Sequence, residues 1–181
     1  HGIDVVLIPE ASEVVRALRE GSGSCFVLTN TRSLTEDEAI ELTSDLVENI
    51  LEMLRDEDVV VRFVSRSDST LRGHVIAEIA VIEKAQIRSS GKGFQAILFA
   101  PAFIEAARVT AGDTHWAKVS GEMRPVSETE YSKDSSFGYA NSDLREFLEE
   151  KSKGSIKAAE VASISLDVIR LGGPDAVAEI L

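Results

Sequence analysis

Short apolar runs that alternate with stretches of helical period constrain this chain more than any other feature. The runs are Asp4–Ile8, Cys25–Asn30, Val59–Val64 and Gln95–Phe99. Their length and their β-branched residues suit buried strands. Between the first two runs, residues 12–19 read as a helix with Ser12 as its N-cap. The clearest helix follows the second run. Thr35 and Glu38 have the spacing of a capping box, in which each side chain satisfies a backbone donor at the helix start. Apolar residues then recur at Ala39, Leu42, Leu46, Val47, Ile50, Leu51 and Leu54, with Glu41, Asp45, Glu48 and Glu52 on other faces. A third helix is predicted from Leu71 to about Ile87, with Val75, Ile76, Ile79 and Ala80 inward.

Strands that alternate with helices predict a largely parallel sheet. The expected fold is therefore α/β: a mostly parallel sheet with helices on both faces, three layers deep, in a single domain over residues 1–181. Right-handed crossovers would place the strand C-terminal ends on one edge. Pro101 stops the fourth strand, and the pattern then changes. Thr114–Val119 and Met123–Val126, separated by Ser120-Gly121-Glu122, predict a β-hairpin excursion with a glycine turn. Residues 132–141 read as a polar loop, and Asn141 or Ser142 is expected to cap a helix running to Lys151. Ala159–Ile164 reads as a further strand, and Pro174 is expected to open a last helix.

Composition excludes several function classes. Nineteen lysines and arginines face 31 acidic residues, a net charge of −12, which argues against a nucleic-acid partner. A local arginine cluster can still hold a small anion. No apolar run approaches the ~20 residues of a membrane span, and no secretory signal is visible. The lone Cys25 rules out an internal disulfide framework and is compatible with a reducing cytoplasm, the expected location. It sits in an apolar run, where packing is its expected job.

The sharpest candidate for chemistry is Ser65-Arg66-Ser67-Asp68-Ser69-Thr70-Leu71-Arg72-Gly73-His74, between a predicted strand and a predicted helix. In an open parallel sheet, ligands bind beyond the strand C-termini. A helix start there offers free N–H groups to a carboxylate or phosphate. Ser67, Ser69 and Thr70 add hydroxyls, and Arg66 and Arg72 add forked donors that match a carboxylate. Asp68 could accept bonds from substrate hydroxyls. The competing reading is that Ser67, Asp68 or Ser69 merely caps the helix. A second cluster, Thr29-Asn30-Thr31-Arg32-Ser33, also follows a strand and would open on the same edge. A third, from Pro101 to Arg108, offers Glu105 and Arg108; a surface turn with a helical ion pair explains it equally.

The histidines, His1, His74 and His115, show no metal-ligand spacing, and no metal site is expected. Neither Gly21-Ser22-Gly23-Ser24 nor Gly91-Lys92-Gly93 matches a Walker A loop or a dinucleotide fingerprint, and no nucleotide site is expected within the chain.

Several motifs together resemble one family. Asp68-Ser69-Thr70-Leu71-Arg72-Gly73 resembles the signature of the four-carbon acid-sugar kinases, long catalogued as a domain of unknown function. Thr31-Arg32-Ser33-Leu34 with the acidic helix start Thr35–Ala39 resembles the second motif. Pro101-Ala102-Phe103 with Glu105 and Arg108 resembles the third. Gly112-Asp113-Thr114-His115, Glu128-Thr129-Glu130, Asp134, Phe137-Gly138-Tyr139 and Ser142-Asp143-Leu144 resemble the hairpin and following loop. The likeness spans most of residues 25–150. Ile104 stands where proline is common and Ala107 where glycine is common. The family's opening Ala-Asp-Asp-Leu/Phe-Thr-Gly motif and its C-terminal nucleotide-binding domain do not occur in this sequence. The resemblance therefore implies a partial N-terminal, sugar-acid-binding domain of a longer two-domain kinase, inactive alone.

The implied reaction is ATP-dependent phosphorylation of the terminal hydroxyl of an erythronate-, threonate- or oxo-tetronate-type acid. ATP and Mg²⁺ would bind mainly outside this chain, on the second domain, and closure would exclude water. Arg72 and the hydroxyls of Ser67, Ser69 and Thr70 would grip the substrate, Asp68 would orient a hydroxyl, and Arg32 and Arg108 would add anion contacts. The substrate is the expected partner, and a homo-oligomer stays open. The alternatives are a non-enzymatic module that binds a small organic acid, and an interaction domain whose polar clusters are only helix caps.

Overall fold

The computed structural model describes residues 3–21 and 23–181. They fall into two compact units. One holds the described residues up to Arg66 together with Ala77–Gln95; the other holds Ser67–Ile76 and Ala96–Leu181.

In the first unit, β1 (Asp4–Val6) and β2 (Cys25–Val27) pair in parallel, Val5 opposite Phe26. Helices α1 (Ala11–Glu20), α2 (Glu36–Met53) and most of α3 (Val75–Ser90) accompany them. The capping box at α2 forms as its spacing requires. Glu38 N–H donates to the Thr35 hydroxyl, and Thr35 N–H donates to the Glu38 carboxylate at 2.9 Å. The Thr35 N–H bond, then one that the Thr35 hydroxyl donates to the same carboxylate at 2.8 Å, hold the Glu38 carboxyl below its ordinary pKa. One α2 face supplies Leu46 and Ile50, which pack with Leu54 of the same chain segment, with Val14 and Val15 of α1, and with Val6, Cys25 and Val27 of the strands. Val47 packs separately with Ile82 and Ala85 of α3. Helix α1 starts at Ala11 with Glu10 as N-cap and no side-chain cap bond, so Ser12 does not cap it.

In the second unit, β3 (Arg108–Ala111), β4 (Thr114–Val119) and β5 (Glu122–Pro125) form an antiparallel sheet in that order. The β4–β5 hairpin turns through Ser120 and Gly121, both at positive φ, as the sequence led us to expect. Strand β3 is an addition that the sequence reading missed. The core gathers Leu71, Ala117, Val126, Tyr139, Leu144 and Phe147, with Phe99, Tyr131 and Leu148 against it. Phe147 lies parallel to Phe99 with centroids 6.0 Å apart, and meets Tyr139 edge-on at 5.5 Å. Helix α4 (Leu144–Lys151) is capped by Asp143, which accepts from Arg145 and Glu146 N–H, and not by Asn141 or Ser142. Helix α5 (Gly173–Ala178) opens with Pro174 as expected.

The chain is thus mixed α/β, with two small sheets among the described residues where the alternation suggested one mostly parallel sheet. Among the described residues, parallel pairing is confined to β1 and β2, and the larger sheet is antiparallel. Residues 59–64 and 95–99, expected as strands, belong to no strand of either sheet. Alternation still governs the first of these: Val61 and Phe63 point into the helix packing, whereas Val60 and Val64 are 83% and 86% exposed. A strand needs a neighbour's backbone groups, and neither segment has a ladder partner here. Ala159–Ile164 is not a strand either; a 3₁₀ turn occupies Ala158–Glu160. Among the described residues, no helix is long and apolar enough to cross a membrane.

Candidate functional site

The third helix was expected to start at Leu71, directly after the Ser67–Thr70 cluster. Instead α3 begins only at Val75, and Ser67–Gly73 forms an irregular turn. Two residues enforce it. Leu71 sits at φ 64° with its side chain 2% exposed in the core of the second unit. Its left-handed backbone costs about 1–2 kcal/mol, which burial of the leucine offsets. Gly73 sits at φ 142°, and a Cβ there would stand 2.4 Å from Ser67 Oγ. That hydroxyl donates to the Arg72 carbonyl at 3.2 Å. The turn is therefore a built structure and not a helix cap.

Its side chains divide into two groups. In the first, the Thr70 hydroxyl donates to the Asp68 carboxylate, and Arg72 Nε donates to both Asp68 Oδ2 at 2.9 Å and Thr70 Oγ1 at 3.0 Å. The far side of the guanidinium lies 3.6 Å from Asp134 Oδ2. Burial works against the Arg72 charge, but the hydrogen bond and charge of Asp68, then Asp134, hold its pKa above the ordinary value. Asp134 accepts from Ser136 and Phe137 N–H, both at 3.0 Å; those bonds, helped by Arg72, keep its carboxyl below the usual range. Arg72 is thus matched by two carboxylates of the chain itself.

The second group centres on Arg108, the first residue of β3. Its Nη1 donates to the Ser69 hydroxyl at 2.9 Å, and its Nη2 lies 3.5 Å from the Tyr131 hydroxyl. No carboxylate among the described residues pairs with it. Both guanidinium carbons face the Tyr131 ring, Arg72 at 5.3 Å and Arg108 at 5.5 Å from its centroid. Chain entry into β3 passes through Ala107 at φ 51°, a left-handed position that explains why glycine suits this place in the motif.

The turn's backbone is held from below. His115 of β4, fully buried, places Nε2 2.8 Å from the Ser69 carbonyl. The Tyr139 hydroxyl donates to the Thr70 carbonyl at 2.8 Å. Burial, the largest influence, raises the Tyr139 pKa, so the phenol stays protonated and able to donate.

The second unit therefore brings together Ser67, Asp68, Ser69, Thr70, Arg72 and Arg108. Arg32 belongs to the first unit, exposed in the 3₁₀ turn Thr31–Ser33. Within that unit, Thr31 and Ser65 both donate to Glu78, at 2.6 and 2.8 Å, which ties the second motif to the end of the 59–64 segment. Tyr131, Asp134, His115 and Tyr139 escaped the sequence reading as site residues. The motif likeness had flagged the last three without a role, and Tyr131 stands as a lone aromatic beside a Ser- and Asp-rich loop. A cleft of about 670 Å³ lies elsewhere, along β1 and α1, lined by Asp4, Glu10, Glu13, Arg16 and Glu20; its acidic wall does not suit an anion. Among the described residues, no three His, Cys, Asp or Glu side chains gather to hold a metal ion.

Motifs and geometry meet in the family comparison: residues 1–181 match the sugar-binding N-terminal domain, and the chain belongs to that family. Two solved structures are similar to it. Both are of a domain of unknown function (DUF1537) from Bordetella bronchiseptica, a domain-swapped dimer with bound citrate in two crystal forms. They share 27% and 25% identity with this chain, with TM-scores of 0.56 and 0.58. Each match covers 81% of this chain but 34% of the other, so this chain spans about a third of its relatives' length. Comparison with curated protein sequences returns no match.

Proposed function

We propose that this chain is the sugar-acid-binding portion of an ATP-dependent kinase that phosphorylates the terminal hydroxyl of a four-carbon sugar acid. The observation that carries the reading is Arg108: a half-buried guanidinium with no carboxylate partner among the described residues, braced against the Ser69 hydroxyl. A desolvated cation of this kind has unspent capacity for a carboxylate, and its fork suits two oxygens. Arg72 contributes field and orientation, because Asp68 and Asp134 already occupy it. Tyr131 sets the spacing of the two guanidinium groups. Ser67 and Thr70 shape the turn, and Asp68 can take a substrate hydroxyl. The subsite uses residues of one unit only.

Family membership supports the sugar-derived substrate, and the citrate held by the Bordetella relative supports a small hydroxy acid as ligand class. ATP and Mg²⁺ would be held on a second domain outside these residues, residues 1–181 would act as one domain, and the protein would work in the cytoplasm as a homo-oligomer, as the relative's dimer suggests. The relative's citrate also favours a second reading, an acid-binding module without phosphoryl transfer.

Calorimetric titration with citrate, erythronate and threonate tests the proposal, with Arg108→Ala as control. Binding of at least one acid, lost in the variant, is the expected result. Equal binding by the variant would remove Arg108 from the site. Phosphoryl transfer from ATP by the longer protein would separate the kinase from the simple binding module.

A further inference from the structure

We propose that His115 is a positioning residue for this anion subsite: as the neutral tautomer protonated on Nε2, it holds the Ser69 carbonyl and so sets where the Ser69 hydroxyl stands against Arg108. The inference rests on the reading that Arg108 and Ser69 receive an acid.

Donor counting assigns the proton. Nε2 faces a backbone carbonyl at 2.8 Å, which offers only lone pairs, so Nε2 must carry hydrogen. Nδ1 faces the Thr110 hydroxyl at 2.9 Å. That hydroxyl also lies 3.0 Å from the Pro101 carbonyl, yet it has one proton to give. With a neutral ring, Thr110 donates to Nδ1. With a charged ring, Nδ1 donates to Thr110, and Thr110 turns to Pro101. Complete burial of the ring and the nearby Arg108 charge both oppose the second arrangement. The neutral ring is the resident form, and its single N–H is committed to Ser69.

The commitment matters because, among the described residues, no backbone N–H answers two of the turn's carbonyls. Successive carbonyls at Ser69 and Thr70 precede the left-handed Leu71 and find their partners in side chains from elsewhere, His115 and Tyr139. Ser69 is 8% exposed, so water is a poor substitute for the imidazole. One residue thus carries both functions: its carbonyl accepts from His115 and its hydroxyl accepts from Arg108.

Two variants separate positioning from mere filling. The glutamine amide nitrogen reaches the place of Nε2, whereas that of asparagine reaches only the place of Nδ1. His115→Gln should keep citrate affinity within about threefold, and His115→Asn should lose about tenfold or more. His115→Gln should also keep the amides of residues 69–71 protected from hydrogen exchange, and His115→Asn should not. Nitrogen NMR of the wild-type chain should find His115 protonated on Nε2 and bare on Nδ1. A proton on Nδ1, or equal losses of loop protection in the two variants, would overturn the proposal. If the wild type binds no citrate, the acid-binding reading fails by itself, and exchange protection at residues 69–71 still decides the role of His115.

Discussion

Arg108 donates to the Ser69 hydroxyl at 2.9 Å, whereas Arg72 in the same unit donates to the Asp68 carboxylate at the same distance. The two arginines therefore do different work. Removing Arg108 leaves no buried carboxylate unpaired, so Arg108→Ala should change stability by less than about 1 kcal/mol. It should weaken citrate binding by about 2 kcal/mol, roughly thirtyfold, the worth of a charge-assisted hydrogen bond. Arg108→Lys should recover only part of this, because an ammonium lacks the fork. Urea unfolding and calorimetric titration measure both quantities; a large stability loss with unchanged affinity would reverse the assignment.

Arg72→Ala should behave in the opposite way. It removes the Arg72 ion pair from Asp68, whose side chain is 15% exposed and which also accepts from the Thr70 hydroxyl. A stability loss of about 1–3 kcal/mol is expected in urea unfolding. Asp68→Asn in the Arg72→Ala background should restore part of it, since an amide needs no countercharge. Failure of that rescue would show that Arg72 stabilises by stacking on Tyr131 alone.

What was legible followed from local rules. The Thr35–Glu38 box, the Ser120-Gly121 turn and the proline opening α5 each depend on residues within a few positions of one another, and each is present. What failed depended on distant partners. Val59–Val64 has the composition of a strand, but pairing needs another backbone alongside. Strand β3 has no pattern of its own and exists because β4 pairs with it. The 68–73 motif marked the turn that carries Arg72 but not the partners that the fold brings to it. Nothing local shows that Asp134, far along the chain, closes the second side of Arg72, or that Tyr131 lies under both guanidinium groups.

Ala107 offers a stabilising substitution. Its backbone lies at φ 51° and ψ 48°, where a Cβ is unfavourable. Ala107→Gly should raise stability by roughly 0.5–1 kcal/mol and leave citrate affinity unchanged. Leu71 is a contrasting left-handed residue, because its side chain is in the core. Leu71→Gly should cost about 2–5 kcal/mol despite relieving the same backbone strain. Chemical denaturation of both variants checks the pair; equal signs would mean that side-chain burial does not govern Leu71.

The pH dependence of folding isolates His115. Burial, opposed by the Ser69 hydrogen bond and aided by Arg108, holds its pKa below the ordinary value of about 6.5. As pH falls through about 6.5, the unfolded chain takes up a proton that the folded chain refuses. The unfolded state then binds more protons, so stability must fall with pH from there down to the folded pKa and level off below it. Asp134 and Asp143, whose pKa values are depressed, lose their contributions in a separate window below about pH 4. Urea midpoints between pH 5 and pH 8 should therefore slope downward toward acid in the wild type. In His115→Gln, which has no ring to titrate, that slope should be reduced. An unreduced slope would mean that His115 takes its proton in the folded chain, with Nδ1 donating to Thr110 and Thr110 to Pro101.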